Sequence, residues 1–275
     1  MSLKKTFSIL FFLLLFISAN VFAQAIPLKN LTLHLVPTNK KNSYGLSSKT
    51  IQVSKTKKNL KVTWYSLVKE LDEAAAYPTY KIKSSRGVID TDNIELKNGY
   101  FQPALWGQGY IRTQSALPLW IDPEYLSLRN NQEKLLNTGI LNASKNLLRL
   151  APDKLYEQIT YFQNLYDQYV ESGQIKDGTG LRKSDKRELK KFIKEFFYVK
   201  NIAKTKANIT VNQLTEKYPA RIIGNNYFQF IVIDDPLNPL VLSFKLYPDK
   251  APKLFKRVLK ELQEGIEFYV SQINY

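Results

Sequence analysis

Hydrophobic and polar positions alternate with a period of two through the first third of the chain. In residues 30–36 the side chains Leu31, Leu33 and Leu35 are interleaved with Asn30, Thr32 and His34, the signature of a strand with one buried face. The segments TIQV, LKVTWYSLV and TYKIKSSRGVI continue this pattern between residues 50 and 89. The turn-forming residues DTDN (90–93) separate the last of these from IELKNGYFQ, which predicts a hairpin. At Asp122-Pro123 the pattern changes, because an N-capping carboxylate followed by proline favours a helical first turn.

Beyond that point the period becomes helical. Leu155, Ile159, Phe162, Tyr166 and Tyr169 recur at spacings of four and three, and Gly173 ends the run, which predicts an amphipathic helix. Ser184 and Asp185 open a second one, with Leu189, Phe192, Ile193 and Phe196 on one stripe and Lys186, Arg187, Lys190, Lys191 and Lys194 crowding its other faces. A short connection and complementary stripes predict an antiparallel helical hairpin. Strand-like segments return in ANITV, KYPARIIG, YFQFIVI and LVLSFKLY; Leu254, Phe255, Val258, Leu259 and Leu262 then mark a last helix before the closing strand IEFYVSQINY.

The fold class expected from this order is α+β, with antiparallel β-rich N- and C-terminal parts, a central helical hairpin and a C-terminal helix-strand. The corresponding divisions are residues 1–23, a β-rich part 24–139, the hairpin insertion 140–205, and a C-terminal part 206–275 with a β-hairpin, a helix and a final strand.

Residues 1–23 carry a different signal. Lys4 and Lys5 precede an apolar core from Phe7 to Ala19, and small residues surround Ala23, the layout of a secretory signal peptide cleaved before Gln24. The core is shorter than a membrane-spanning helix requires, and no lipid-acceptor cysteine follows it. The expected destination is therefore the periplasm or the exterior. Zero cysteines mean that no disulfide contributes to stability, so apolar burial has to supply it; 44% hydrophobic and 13% aromatic residues are sufficient for that.

Charge adds a candidate partner. The chain has 40 basic and 24 acidic residues, a net charge of +16, or +14 once Lys4 and Lys5 leave with the signal. An exported basic protein meets lipid phosphates, acidic polysaccharides and other envelope anions, with nucleic acid a weaker expectation. A second explanation stays open, since richness in Lys, Asn, Ile, Tyr and Phe also follows from AT-rich codons.

Several chemistries lack their residues. Without cysteine, and with His34 as the one histidine, cysteine nucleophiles and the usual zinc sets are excluded, and a Ser-His-Asp triad would have to use His34 on the polar face of an early strand. Ser-x-x-Lys occurs at Ser54–Lys57 and Ser66–Lys69 without the companion elements of serine-lysine hydrolases. Asp90 and Asp92 begin a calcium-loop pattern that breaks at Ile94, Glu95 and Phe101. No phosphate-binding glycine loop is present, and no cofactor or metal is expected. Paired carboxylates for polysaccharide hydrolysis remain available, but they carry no local marker, and no catalytic residue is assigned.

Two segments lean towards binding. Trp106, Tyr110 and Arg112 lie in a glycine-containing, aromatic stretch that also holds Trp120; flat rings beside a guanidinium suit sugars or headgroups, although the tryptophans equally suit the core. The basic helix offers Lys190, Lys191 and Lys194, which equally suit a solvated face. Asp234 and Asp235 sit between apolar strands, but Pro236 and the short six-residue link favour a structural turn over a carboxylate site. The functional expectation is an exported non-catalytic envelope protein that binds an anionic or glycan-bearing surface. The alternatives are a carboxylate-dependent polysaccharide hydrolase and a scaffold or assembly factor for another envelope protein.

Overall fold

The computed structural model describes residues 25–28, 30–36, 48–72, 79–101, 109–113, 116–129, 132–136, 138–141, 147–150, 187–188, 191–192, 195–252, 256, 259–260, 263 and 267–275. Strand dominates them. Five N-terminal strands, β1 (Leu31–Val36), β2 (Lys49–Lys55), β3 (Leu60–Asp72), β4 (Thr79–Thr91) and β5 (Tyr100–Phe101), are followed by β6 (Gly109–Thr113) and β7 (Ala116–Leu117). Then come β8 (Glu133–Leu135), β9 (Thr138–Leu141), β10 (Leu147–Leu150), β11 (Tyr198–Val211), β12 (Leu214–Gly224), β13 (Phe228–Ile233), β14 (Val241–Leu246) and β15 (Phe268–Asn274).

Eleven of these strands form one sheet in the order β6-β4-β3-β2-β1-β15-β14-β13-β12-β11-β8, and β10-β9-β5-β7 form a second, smaller one. The large sheet bends back on itself through β15. Tyr269 pairs with Val36 of β1 and with Ser243 of β14, while Ile273 pairs with Leu33 of β1 and with Val211 of β11. A strand has two edges, so β14 and β11 share the edge of β15 that β1 does not occupy. Strands β11 to β15 therefore close into a five-membered ring, with β1 to β4 and β6 extending from it.

The α+β expectation is overturned by this architecture, which is mostly β with no long helix among the described residues. Helical conformation there is confined to 187–188, 191–192, 195–196, 256, 259–260 and 263, beside 3-10 turns at Pro123–Ser127 and Pro248–Lys250. Asp122 does cap the first of those turns, accepting from the Glu124 amide, but the turn ends at Leu128 and strands follow. The hairpin assigned to 140–205 holds strand residues at both ends, in β9, β10 and β11; its first helix, 155–173, lies outside the described residues. The second helix gives way at Phe197, and Tyr198 to Lys200 are already strand. Short apolar runs such as Leu147–Leu150 suit either period, and here sheet pairing decides.

The predicted hairpin at 90–93 is corrected as well. β4 pairs with β3 and, in parallel, with β6, whereas the Tyr100–Phe101 segment joins β7 and β9 in the second sheet. Leu96 and Asn98 take positive φ of 59° and 52° on the way, a left-handed course that lifts the chain off the first sheet.

Aromatic packing joins the two sheets. Phe101 of the small sheet meets Phe230 edge-on at 4.8 Å and Phe244 at 6.1 Å, and Phe230 stacks on Phe244 at 4.9 Å. Phe228 continues the chain of rings to Phe196 at 5.2 Å, so residues 195–196 are anchored to the same core. Each such pair contributes about 0.5–1.5 kcal/mol beyond area burial. Gly87 is needed elsewhere in the core, because a Cβ there would lie 2.4 Å from the Trp64 indole.

Polar contacts fix the β13–β14 connection. Asp235 Oδ1 accepts from the Leu237 amide at 2.8 Å, and its carbonyl accepts from the Asn238 amide at 3.1 Å, so this carboxylate is engaged by its own turn. Asp234 faces Arg221, Nε to Oδ1 2.6 Å. Asn238, 2% exposed, accepts from Trp120 Nε1 at 2.8 Å and donates to the Ile26 carbonyl at 2.7 Å. That one carboxamide links the chain entry, the Trp120 segment and β13–β14. Asn238→Leu leaves the indole N–H and the Ile26 carbonyl buried without these partners, and should lower unfolding free energy by about 2–3 kcal/mol in chemical denaturation; a loss below about 0.5 kcal/mol would contradict that role.

Candidate functional site

A polar cleft of about 640 Å³ opens where β8, β11 and the β12–β13 turn meet Lys191 and Glu195; it is lined by Glu133, Lys191, Glu195, Tyr198, Lys200, Asn225, Asn226 and Tyr227. Local sequence explains each wall. Glu133 stands directly opposite Lys200 in the antiparallel β8–β11 pair, an opposite-charge cross-strand match. The β12–β13 turn is tight because residue 224 is glycine: a Cβ there would meet the Phe228 carbonyl oxygen at 2.3 Å.

Asn225 fixes the geometry. Its Oδ1 accepts from the amides of Tyr227 and Phe228 at 2.8 and 3.1 Å. Its Nδ2 donates to the carbonyls of Phe196 and Tyr198 at 2.7 and 3.0 Å, which satisfies main-chain acceptors where the helical residues end. One side chain thus ties that end to the turn. Tyr227 then donates through its hydroxyl to Glu195 Oε2 at 2.8 Å, and its ring packs edge-on against Phe192 at 4.9 Å. Lys191 Nζ lies 3.9 Å from Glu195 Oε1.

The cleft therefore sets two carboxylates, two ammonium groups, two phenols and two carboxamides around one volume. Formal charges cancel, while donors and acceptors of several geometries converge beside two aromatic rings. This composition suits a neutral, hydroxyl-rich ligand better than a lone anion.

The residues nominated from sequence are dispersed. Lys191 lines the cleft; Lys190, Lys194 and Trp106 lie outside the described residues. Tyr110 and Arg112 sit on β6, the opposite edge strand of the large sheet. There the Tyr110 hydroxyl donates to Asp90 Oδ2 at 2.8 Å, and Arg112 approaches Asp92 at 3.6 Å. The hydrogen bond to Asp90 raises the Tyr110 pKa above its ordinary value of 10.0. Trp120 is fully buried. His34 meets Thr50 Oγ1 through Nδ1 at 3.3 Å. Among the described residues no group of three or more His, Asp or Glu side chains converges as a metal site.

Glu133, Glu195, Asn225 and Tyr227 escaped sequence reasoning because β8–β11 pairing brings Glu133 to Lys200 from far along the chain, and Glu195 meets Tyr227 across 32 residues. One signal was available: Gly224-Asn225-Asn226 between two apolar strands is a strong turn sequence. Comparison of the chain with protein-family models, with curated proteins and with solved structures finds no match.

Burial, and after it the Glu195 hydrogen bond, pushes the Tyr227 pKa up from 10.0 to about 12; burial does the same for Tyr218. A raised pKa means that the neutral phenol is favoured in the folded state, so this stabilisation is complete below pH 10 and is lost as pH rises towards 12. Titration of tyrosinate absorbance should show late-ionising phenols among the 17 tyrosines. Tyr227→Phe should remove one of them, and Glu195→Gln should bring Tyr227 back towards 10; an unchanged titration in both variants would contradict the assignment.

Proposed function

We propose that the protein is an exported, non-catalytic component of the cell envelope that binds a glycan-bearing surface through the Glu133–Tyr227 cleft. The observation that carries this reading is the cleft's charge balance combined with the half-buried ring of Tyr198. Tyr198 offers a half-buried ring, Asn226 and Glu133 offer exposed amide and carboxylate groups, and Lys191 and Lys200 supply donors. Sugars need this mixture, since each ring presents an apolar face and a rim of hydroxyls that both donate and accept. Export rests on Lys4, Lys5 and the apolar core after them. The net charge of +14 adds a long-range preference for envelope glycans bearing anionic groups. No helix among the described residues is long and apolar enough to cross a membrane.

A second reading uses the same walls. Glu133 and Glu195 both line the cleft, and two carboxylates about one bound sugar are the minimum requirement of a glycoside hydrolase. Non-catalytic binding is favoured because Glu195 is already held by Tyr227 and Lys191 while Glu133 faces Lys200.

The test is retention of the chain from Gln24 onward on immobilised envelope polysaccharide. Lys191→Ala with Asn226→Ala should weaken retention about tenfold, a loss near 1.4 kcal/mol, and the remaining affinity should fall only modestly with salt. No retention, or retention indifferent to both substitutions, would dismiss the cleft as the site. Release of new reducing ends, abolished by Glu133→Gln or Glu195→Gln, would decide for the hydrolase.

A further inference from the structure

Strand β11 is paired from Lys200 to its end along one edge and, among the described residues, only near the two ends of the other. β12 accompanies it from Lys200 to Val211. On the opposite edge β8 covers Tyr198–Lys200 and β15 covers Thr210–Val211. Between them, among the described residues, Ile202 to Ile209 face no strand. At the β8 side the Gln132 amide donates to the Arg129 carbonyl, and the Asn201 carboxamide donates to the Leu128 carbonyl. The opening is about 25–30 Å long at the usual rise per strand residue, enough for an extended segment of six to eight residues.

The side chains along this gap have a definite pattern. Pairing opposite Arg221, Pro219 and Lys217 places Lys204, Lys206 and Asn208 on one face, and all three are exposed. Lys217 adds a third ammonium on that face, whereas Arg221 is held by Asp234. Ala203, Thr205 and Ala207 occupy the other face, with small side chains that permit close approach. Ile202, at the register shift between Asn201 and Ala203, is 40% exposed.

We propose that this gap is a docking site for an extended segment of a partner protein, which adds to β11 as a strand and carries carboxylates at alternate positions with apolar residues between them. Main-chain groups of Ile202–Ile209 supply the ladder; Lys204, Lys206 and Lys217 face the carboxylates, and the Ala203–Ala207 face takes the apolar residues. A second copy of this chain fits poorly. Antiparallel self-pairing centred on Thr205 sets Lys204 of each copy against Lys206 of the other, and like charges directly opposed destabilise a sheet. An anionic polysaccharide could meet the lysines, but it has no peptide main chain with which to continue the ladder. Edge lysines also discourage indiscriminate strand pairing, so an acidic guest would be admitted where a neutral or basic one is not.

The experiment follows amide hydrogen exchange in the chain from Gln24 onward with eight-residue peptides at about 1 mM, a range in which weak strand addition is populated. One peptide alternates glutamate and valine, one lysine and valine, and one serine and valine; hyaluronate serves as a polyanion without peptide amides in register. The acidic peptide should slow exchange at alternate amides of 202–209 by tenfold or more, and the other three should not. Lys204→Glu with Lys206→Glu should abolish that protection and transfer it to the lysine peptide, which shows that the doubly substituted chain is folded and its edge open. No slowing with the acidic peptide overturns the proposal. Equal slowing with all three peptides overturns its acidic chemistry, protection by hyaluronate alone reassigns the lysines to a polyanion, and dimerisation of the chain without peptide assigns the edge to a second copy.

Discussion

The double engagement of β15 is the constraint on which the rest of the structure depends. A seven-residue strand at the end of the chain joins β1 along one edge and both β14 and β11 along the other. Its inward residues Phe268, Val270 and Ile273 are buried, as are Leu33 and Leu35 across from it. Without β15 the N-terminal strands would lose their sheet pairing with the C-terminal meander, and β11 would lose the contact that closes the ring. Smaller links reinforce it: the Asn212 amide donates to the Ile273 carbonyl, Asn212 Oδ1 accepts from the Tyr275 amide, and Glu267 accepts from the Leu246 amide. Such a strand contributes only long-range contacts, so most of its stabilisation arrives after loops of great length have closed.

Ring closure also determines where polar chemistry becomes possible. β11 runs for 14 residues, longer than either partner on its outer edge, so the partners meet only its ends. One end, covered by β8, brings Glu133 beside Lys200 and lets the Asn225 turn clamp the chain at Phe196–Tyr198. The other end meets β15. The cleft and the length of β11 that no described strand pairs are thus two results of one mismatch in strand length. A longer β8 would fill the gap and bury the cleft's rim.

Legibility from sequence followed the range of the interactions. Period-two alternation over 31–36, together with the apolar runs before and after Asp234, identified strands because burial of one face is written into consecutive residues. The Asp235 turn was readable for the same reason: proline and an Asx carboxylate act over two or three positions. What failed was period assignment in segments rich in both leucine and lysine. In the stretch ending at Lys200 the helical stripe stops at Phe196, and the next residues are claimed by β8 and β12 rather than by local propensity. The Val211–Leu214 hairpin hid its turn as well, since Asn212 and Gln213 take positive φ of 45° and 74° without a glycine. Glutamine in that region costs about 1 kcal/mol or more, which the long flanking ladder outweighs.

The candidate site was harder to read because none of its walls is a motif. Lys191 was nominated for its charge, yet in the cleft its position beside Glu195 makes it one member of a balanced set. Tyr110 and Arg112 were nominated as a binding cluster, yet each faces a carboxylate of its own neighbourhood, Asp90 and Asp92, at the far edge of the sheet. Net charge therefore misdirects when it is read residue by residue: what matters is whether each cation has an anion at the distance the fold imposes. Arg112 and Lys191 have one each, and so does Arg221 in Asp234. On the outer face of β11 and β12 the balance changes, because Lys204, Lys206 and Lys217 are neighbours across a ladder that sets no carboxylate directly opposite them. Lysines on an edge turn away indiscriminate strands, so among the described residues the main chain of β11 stays open in a setting that favours an acidic neighbour over a basic one.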